Sequence, residues 1–162
     1  MVAVLAHALG VIRRDIFHKP CDVNALATAA LYHDASEILT GDLPTPIKYH
    51  NAEIMSAYHA VEDLAVQKLL GMLPPELRET YADVLGEDKD GDIYPLVKAA
   101  DKLSAYIKCI EERKAGNNEF LSAEAQTRAA LDASPLPEVQ YFLEHFIPAF
   151  ERDLDELGAI GQ

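Results

Sequence analysis

His33 and Glu37 fall on one face of a strongly apolar predicted helix, and Asp34 follows His33 directly. Leu26 and Ala30 lie on the same face, because residues spaced by three and four recur on one side of an α-helix. Burying an imidazole and a carboxylate without partners costs on the order of several kcal/mol. These side chains should therefore bind each other, neighbouring polar groups or a metal ion. A structural pair is the common outcome for an isolated His-Asp dipeptide, since adjacent helical side chains diverge by about 100°.

A further carboxylate that could reach the same cleft is Asp101. It lies one position round from the apolar stripe of a helix predicted over residues 92–115, which places it at the edge of the core. An imidazole together with carboxylates suits Mn, Co, Zn or Fe better than the soft metals that prefer thiolates. In the absence of a metal ion, Asp101 would pair with Lys98 or Lys102, or lie exposed at the edge of the core.

The segment over residues 40–46 separates this helix from the next one. Gly41 is predicted to adopt the left-handed conformation that ends the helix, and Thr45 with Pro46 is predicted to start the next helix. Backbone N–H groups at such a start can bind an anion, and Asp42 could accept a hydrogen bond from a sugar hydroxyl. A plain connector between two helices would explain the same spacing, so a function here depends on the neighbouring polar residues.

The elements that must position these side chains are all predicted to be helices. Breaks rich in Pro and Gly divide the chain into segments of helical length, apolar spacing within them is three and four, and no segment alternates with a period of two. The predicted fold class is therefore all-α, a single domain over residues 1–162 with about six or seven helices. The predicted helices cover residues 2–14, 22–39, 46–71, 75–85, 92–115, 119–133 and 138–157.

Composition excludes several classes of protein. The chain has 162 residues, of which 49% are hydrophobic and 25% charged, with a formal net charge of −13. We therefore expect a globular core and no general binding to nucleic-acid polymers. The longest apolar stretch, residues 2–12, is shorter than the roughly 18 residues of a membrane span. Cys21 and Cys109 form no C-x-x-C pair, which is typical of free thiols in a reducing compartment, so we expect a cytoplasmic protein.

Taken together, three motifs give the chain a resemblance to a known family. They are YHDASE at residues 32–37, TGDLPTPIK at residues 40–48 and ADKL at residues 100–103. They resemble the bacterial 5′-deoxynucleotidases of the HD-domain superfamily, the YfbR type. The likeness runs nearly end to end and takes in GNNEF at residues 116–120 and the tail around Tyr141.

The resemblance implies an all-α HD domain that forms a homodimer and binds one divalent metal ion of the Co, Mn, Zn or Fe class. It implies hydrolysis of deoxynucleoside 5′-monophosphates to deoxynucleosides and phosphate. By the same motifs, the implied metal ligands are His33, Asp34 and Asp101, and the implied catalytic residues are Glu37, for acid-base work, and Asp34. The implied substrate-binding residues are Asp34, Asp42, Leu43, Pro44, Thr45 and Asp101.

One part of the family pattern is absent from residues 1–162. The first metal-binding histidine of the family lies in a Ser-Glu-His-Ser motif just before the helix that begins here at Met1, and an Arg-Trp pair lies further upstream. We therefore expect a single domain that lacks this segment, and we expect His7 to lie in the core rather than to replace the missing ligand. Two other functions remain open: an HD phosphohydrolase for a nucleoside triphosphate or cyclic nucleotide, and a non-catalytic helical dimer that binds nucleotides or a protein.

Overall fold

The computed structural model describes residues 1–42, 51–86 and 91–153 together with residue 156, and it divides into two compact units. The first unit comprises Met1–Ala30 and Asp92–Gln162, and the second comprises Leu31–Gly91. Every regular element in the described ranges is helical, which confirms the predicted all-α fold. The single domain over residues 1–162 stays a prediction.

The helices are short to medium in length, and α3, α4 and α5 lie wholly in the second unit. Among the described residues, none forms a helix with the length and apolar character that crossing a membrane requires. In chain order the helices are α1 (Val2–Val11), α2 (Val23–Tyr32), α3 (Glu37–Thr40), α4 (Ala52–Met72), α5 (Pro75–Leu85), α6 (Tyr94–Lys114), α7 (Leu121–Asp132), α8 (Pro137–His145) and α9 (Ile147–Glu151).

The core of the first unit is built around α6, which packs against α1, α7 and α9. Its predicted apolar stripe, Leu96, Ala100, Leu103, Ile107 and Ile110, is completely buried. Each buried leucine or isoleucine contributes about 1.5–3 kcal/mol to the free energy of unfolding. The 3.6-residue period of the sequence thus predicts both the helix and the face that it buries, and the helices predicted over residues 75–85 and 119–133 agree as closely.

The approach of α1 to α2 depends on a glycine. A Cβ atom added at Gly10 would lie 3.0 Å from Leu26 Cδ2 and 3.3 Å from Val23 Cγ1, so these two side chains would have to shift to admit a larger residue. α1 continues into a π-helical turn, Ile12–Ile16, and together they account for the predicted helix over residues 2–14. The prediction of a core histidine on α1 is wrong, because His7 is exposed on the side of α1 opposite its buried face.

Arg113, near the end of α6, links that helix to two others. Its Nε donates to Glu124 of α7 at 3.0 Å, and its Nη2 donates to Glu151 of α9 at 2.8 Å. These hydrogen bonds, that of Glu124 first, hold the pKa of Arg113 above its usual value. Because the guanidinium is part-exposed, solvent screens the pairs and each contributes modestly to stability.

Two predicted helices have wrong boundaries. The helix predicted over residues 138–157 is divided at Phe146 into α8 and α9, since Pro148 has no N–H with which to continue the hydrogen-bond ladder of α8. The helix predicted over residues 46–71 is interrupted at Asn51, which is extended and whose side chain accepts from the N–H of Ile54 at 2.8 Å, so that α4 begins at Ala52. Residues 46–50 lie outside the described part of the chain.

Candidate active site

His33 and Asp34 lie in a turn, residues 33–36, between α2 and α3. The N–H of Ala35 donates to the Tyr32 carbonyl at 2.9 Å, and the N–H of Glu37 donates to the Asp34 carbonyl at 3.0 Å. Both bonds span three residues rather than the four of an α-helix, so the chain tightens here and changes direction. The continuous helix predicted over residues 22–39 is therefore wrong.

The tight turn brings His33 and Asp34 together. His33 Nε2 lies 2.9 Å from Asp34 Oδ2, although the imidazole is only 9% exposed and the carboxylate is 55% exposed. Adjacent side chains would have diverged on a regular helix, and that expectation fails because residues 33–36 are not helical. The pair thus joins a buried ring to a carboxylate that solvent reaches.

Glu37 is the first residue of α3. It is half-buried, and its backbone N–H is fixed by the Asp34 carbonyl at 3.0 Å. The turn interrupts the continuous helix on which His33 and Glu37 were predicted to share one face. The bond to Asp34 nevertheless keeps the catalytic candidate at residue 37 adjacent to the His-Asp pair.

α3 ends at Gly41, as the sequence predicts, but the conformation there differs from the predicted one. Gly41 has φ 72° and ψ 161°, a region that essentially only glycine occupies, so the chain leaves α3 extended rather than in a left-handed turn. Asp42 follows and is exposed. The other predicted substrate-binding residues of this segment, Leu43, Pro44 and Thr45, lie outside the described residues.

Asp101 lies on α6, directly after the buried Ala100, and it is exposed. This confirms its predicted place at the edge of the core. Asp101 belongs to the first unit, whereas His33 and Asp34 belong to the second. Its membership of one ligand set with them stays a prediction.

The donor chemistry of the His33–Asp34 pair fits a divalent metal ion. An imidazole nitrogen and carboxylate oxygens are donors that Mn, Co, Zn and Fe bind, and Nε2 and Oδ2 lie 2.9 Å apart in this turn. The same separation is that of an ordinary N–H···O hydrogen bond. The described residues hold no group of three or more His, Cys, Asp or Glu side chains placed to bind one metal ion.

Two hydroxyl groups near this turn were not predicted as functional. Tyr58 on α4 donates to the Gly41 carbonyl at 3.2 Å, and Thr40 Oγ1 donates to the same oxygen at 3.0 Å. Seventeen residues separate Tyr58 from Gly41, so no local spacing in the sequence could reveal the contact. Tyr81 of α5 packs edge-on against Tyr32, with ring centroids 6.1 Å apart, and supports the chain just before His33.

Comparison with known proteins places the chain in a family. The model of the family described as 5′-deoxynucleotidase YfbR-like matches residues 1–150. The chain is 49% identical to the 5′-deoxynucleotidase YfbR of Shigella flexneri over 158 residues, which cover 97% of the chain and 79% of the relative. It is 48% identical to the protein of the same name from Escherichia coli K12, with the same coverage.

A solved structure agrees with this assignment. The crystal structure of an HD-domain phosphohydrolase from Listeria innocua is similar with a TM-score of 0.77 and 26% sequence identity, over 92% of this chain and 72% of that one. The helical fold is accordingly that of the HD-domain phosphohydrolases. The chain belongs to the YfbR-like 5′-deoxynucleotidase family.

Proposed function

We propose that the protein hydrolyses deoxynucleoside 5′-monophosphates to deoxynucleosides and phosphate, with a divalent metal ion as cofactor. Membership of the YfbR-like family supports the reaction class. The observation that carries the proposal is the His33–Asp34 pair, with Nε2 and Oδ2 2.9 Å apart in the turn after α2. Relatives called 5′-deoxynucleotidase support the substrate class.

The residues proposed to hold the metal ion are His33, Asp34 and Asp101. When bound, a divalent ion neutralises charge on the phosphate and lowers the pKa of a water molecule that attacks phosphorus. This is important for a chain with a net charge of −13, because its long-range field repels a dianionic substrate. The identity of the ion is left within the Co, Mn, Zn and Fe class.

Glu37 is proposed as the general acid. The attack of water on phosphorus breaks the bond to the 5′-oxygen, and that oxygen must take up a proton as it leaves. The hydrogen bond from the Glu37 N–H to the Asp34 carbonyl holds Glu37 beside the pair that receives the phosphate. A positioned acid of this kind contributes about 10²–10⁴-fold to the rate.

Asp34 has a second proposed role. Its carboxylate is 55% exposed, so it can accept a hydrogen bond from the attacking water while its other contact is with His33. Asp42 and residues 43–45 are proposed to lie against the nucleotide, and the exposed carboxylate of Asp42 can accept a hydrogen bond from a sugar hydroxyl.

A homodimer and a cytoplasmic location are also part of the proposal. The family resemblance supports the dimer. Cys21 and Cys109 are free thiols, and burial raises the pKa of each above its usual value. Free thiols of this kind suit a reducing compartment.

The experiment that tests this function is a phosphate-release panel with Mn²⁺ or Co²⁺ added. The substrates are deoxynucleoside monophosphates, ribonucleoside monophosphates, a nucleoside triphosphate and a cyclic nucleotide. Release from the deoxynucleoside monophosphates supports the proposal. Release only from the triphosphate or cyclic nucleotide would identify a different HD phosphohydrolase, and no release together with no metal uptake would identify a binding protein.

A further inference from the structure

The carbonyl oxygen of Gly41 lies just before the proposed nucleotide-binding segment. It accepts hydrogen bonds from Thr40 Oγ1 at 3.0 Å and from the Tyr58 hydroxyl at 3.2 Å. The Thr40 bond is local, since the two residues are adjacent. The Tyr58 bond joins this point to α4, a helix of 21 residues that packs against α3.

Fixing this carbonyl also fixes the orientation of the peptide that follows it. The described chain contains no cis peptide bond, so the N–H of Asp42 points away from the Gly41 carbonyl and from Tyr58. Gly41 itself can leave α3 in an extended conformation because φ 72° and ψ 161° are open to glycine. Gly41 therefore allows the extended conformation in which the chain reaches Asp42, and the hydrogen bond from Tyr58 holds the peptide in that orientation.

We propose that Tyr58 is a positioning residue for Asp42. Its hydroxyl holds the Gly41–Asp42 peptide so that Asp42 meets a hydroxyl of the deoxyribose. The inference rests on the function proposed above, and it concerns only binding of the nucleoside portion. The turn that carries the His33–Asp34 pair has its own backbone hydrogen bonds, to which the Tyr58 hydroxyl does not contribute.

The test compares Tyr58→Phe with Tyr81→Phe in the same unit. Both tyrosines are half-buried. Tyr81→Phe keeps the ring contact with Tyr32. Among the described residues, the Tyr81 hydroxyl forms no hydrogen bond that this change would remove. A hydrogen bond contributes about 0.5–1.5 kcal/mol, so Tyr58→Phe should raise KM for a deoxynucleoside monophosphate about two- to tenfold, with kcat within about twofold of wild type. Tyr81→Phe should leave both constants unchanged.

Product inhibition separates positioning from a general loosening of the site. In Tyr58→Phe, the inhibition constant of the deoxynucleoside should rise with KM, whereas that of inorganic phosphate should stay at the wild-type value. Equal kinetics in Tyr58→Phe and Tyr81→Phe would overturn the inference. A parallel weakening of phosphate and deoxynucleoside inhibition, or a fall in kcat alone, would overturn it as well.

The inference and the proposed function fail in different ways. If the wild-type protein releases no phosphate from any deoxynucleoside monophosphate, the proposed function is wrong. Calorimetric titration of the same two variants with a deoxynucleoside then tests the inference without turnover. Weaker binding to Tyr58→Phe than to Tyr81→Phe would support it, and no binding to the wild-type protein would overturn it.

Discussion

The two units of this protein differ in the interactions that stabilise each of them. The first unit buries a continuous set of large apolar side chains around α6 and α1. In the second unit, only Ala65 and Leu70 among the described residues are buried apolar side chains. The turn at residues 33–36 and the end of α3 are fixed there by hydrogen bonds and by a glycine instead. Among the described residues, buried apolar side chains thus lie mainly in the first unit, whereas most of the proposed chemistry lies in the second.

This difference is useful for catalysis. A side chain in a packed core has one rotamer and no access to solvent, whereas a site must admit water, metal ion and substrate. Turns held by a few hydrogen bonds on a stable scaffold meet both requirements. Asp101 differs from the other candidate site residues, because it lies on α6, a helix with many buried residues.

The largest effect is expected for Asp101→Ala. If Asp101 is a metal ligand, its loss should remove bound metal and bring phosphate release close to background, without unfolding the protein. Metal content by plasma mass spectrometry and phosphate release measure the two effects. The matched control is Glu111→Ala, which removes an exposed carboxylate from the same helix. Metal content equal to that of the control would remove Asp101 from the ligand set.

Glu37→Ala should have the second-largest effect. It should lower the rate of hydrolysis without reducing metal binding. We expect kcat to fall about 10²–10⁴-fold, because the leaving 5′-oxygen loses its proton donor, while metal content stays at the wild-type level. Glu53→Ala, an exposed carboxylate of the same unit, is the control. A loss of metal in step with activity would make residue 37 a ligand rather than an acid.

Leu103→Ala tests the contribution of the first unit's core to stability. Leu103 is completely buried on α6, and its truncation should lower the free energy of unfolding by about 2–5 kcal/mol. Activity per folded molecule, measured well below the melting temperature, should change little. Leu121→Ala, an exposed leucine of the same unit, should have a small effect on stability. A selective loss of kcat with unchanged stability would contradict the division of roles between the units.

The smallest of these effects is expected for Gly41→Ala. An added Cβ meets no neighbouring atom, but the backbone conformation at residue 41 strains any side chain by about 1–3 kcal/mol. Urea unfolding should show this loss, and KM should rise as the chain leaves α3 differently. Gly71→Ala is the control of opposite sign, because Gly71 is helical with equally open space and alanine favours a helix. Equal stability changes in the two variants would contradict the conformational argument.

The sequence predicted those features that depend on local periodicity. The stripe of α6 from Leu96 to Ile110, the exposed edge position of Asp101 and the end of α3 at Gly41 all follow from spacing and residue type. The family resemblance indicated which polar residues to combine, and the family assignment is confirmed.

Local periodicity could not predict features that a few specific contacts decide. The break at residues 33–36 falls in a sequence that is compatible with a continuous helix, and hydrogen bonds over three residues tighten it. The hydrogen bond from Tyr58 to the Gly41 carbonyl joins residues that are distant in the sequence. His7 was predicted to lie in the core because the residues around it are apolar, but it lies outside the buried face of α1.

The central claim is that His33, Asp34 and Asp101 share one divalent ion at which a deoxynucleoside monophosphate is hydrolysed. A crystal structure of the Mn²⁺-loaded protein, with the ion located by its anomalous scattering, tests this most directly. We expect one strong peak within about 2.3 Å of His33 Nε2 and of a carboxylate oxygen from each aspartate. An ion bound elsewhere, or His33 and Asp101 too far apart to contact one ion, would contradict the account.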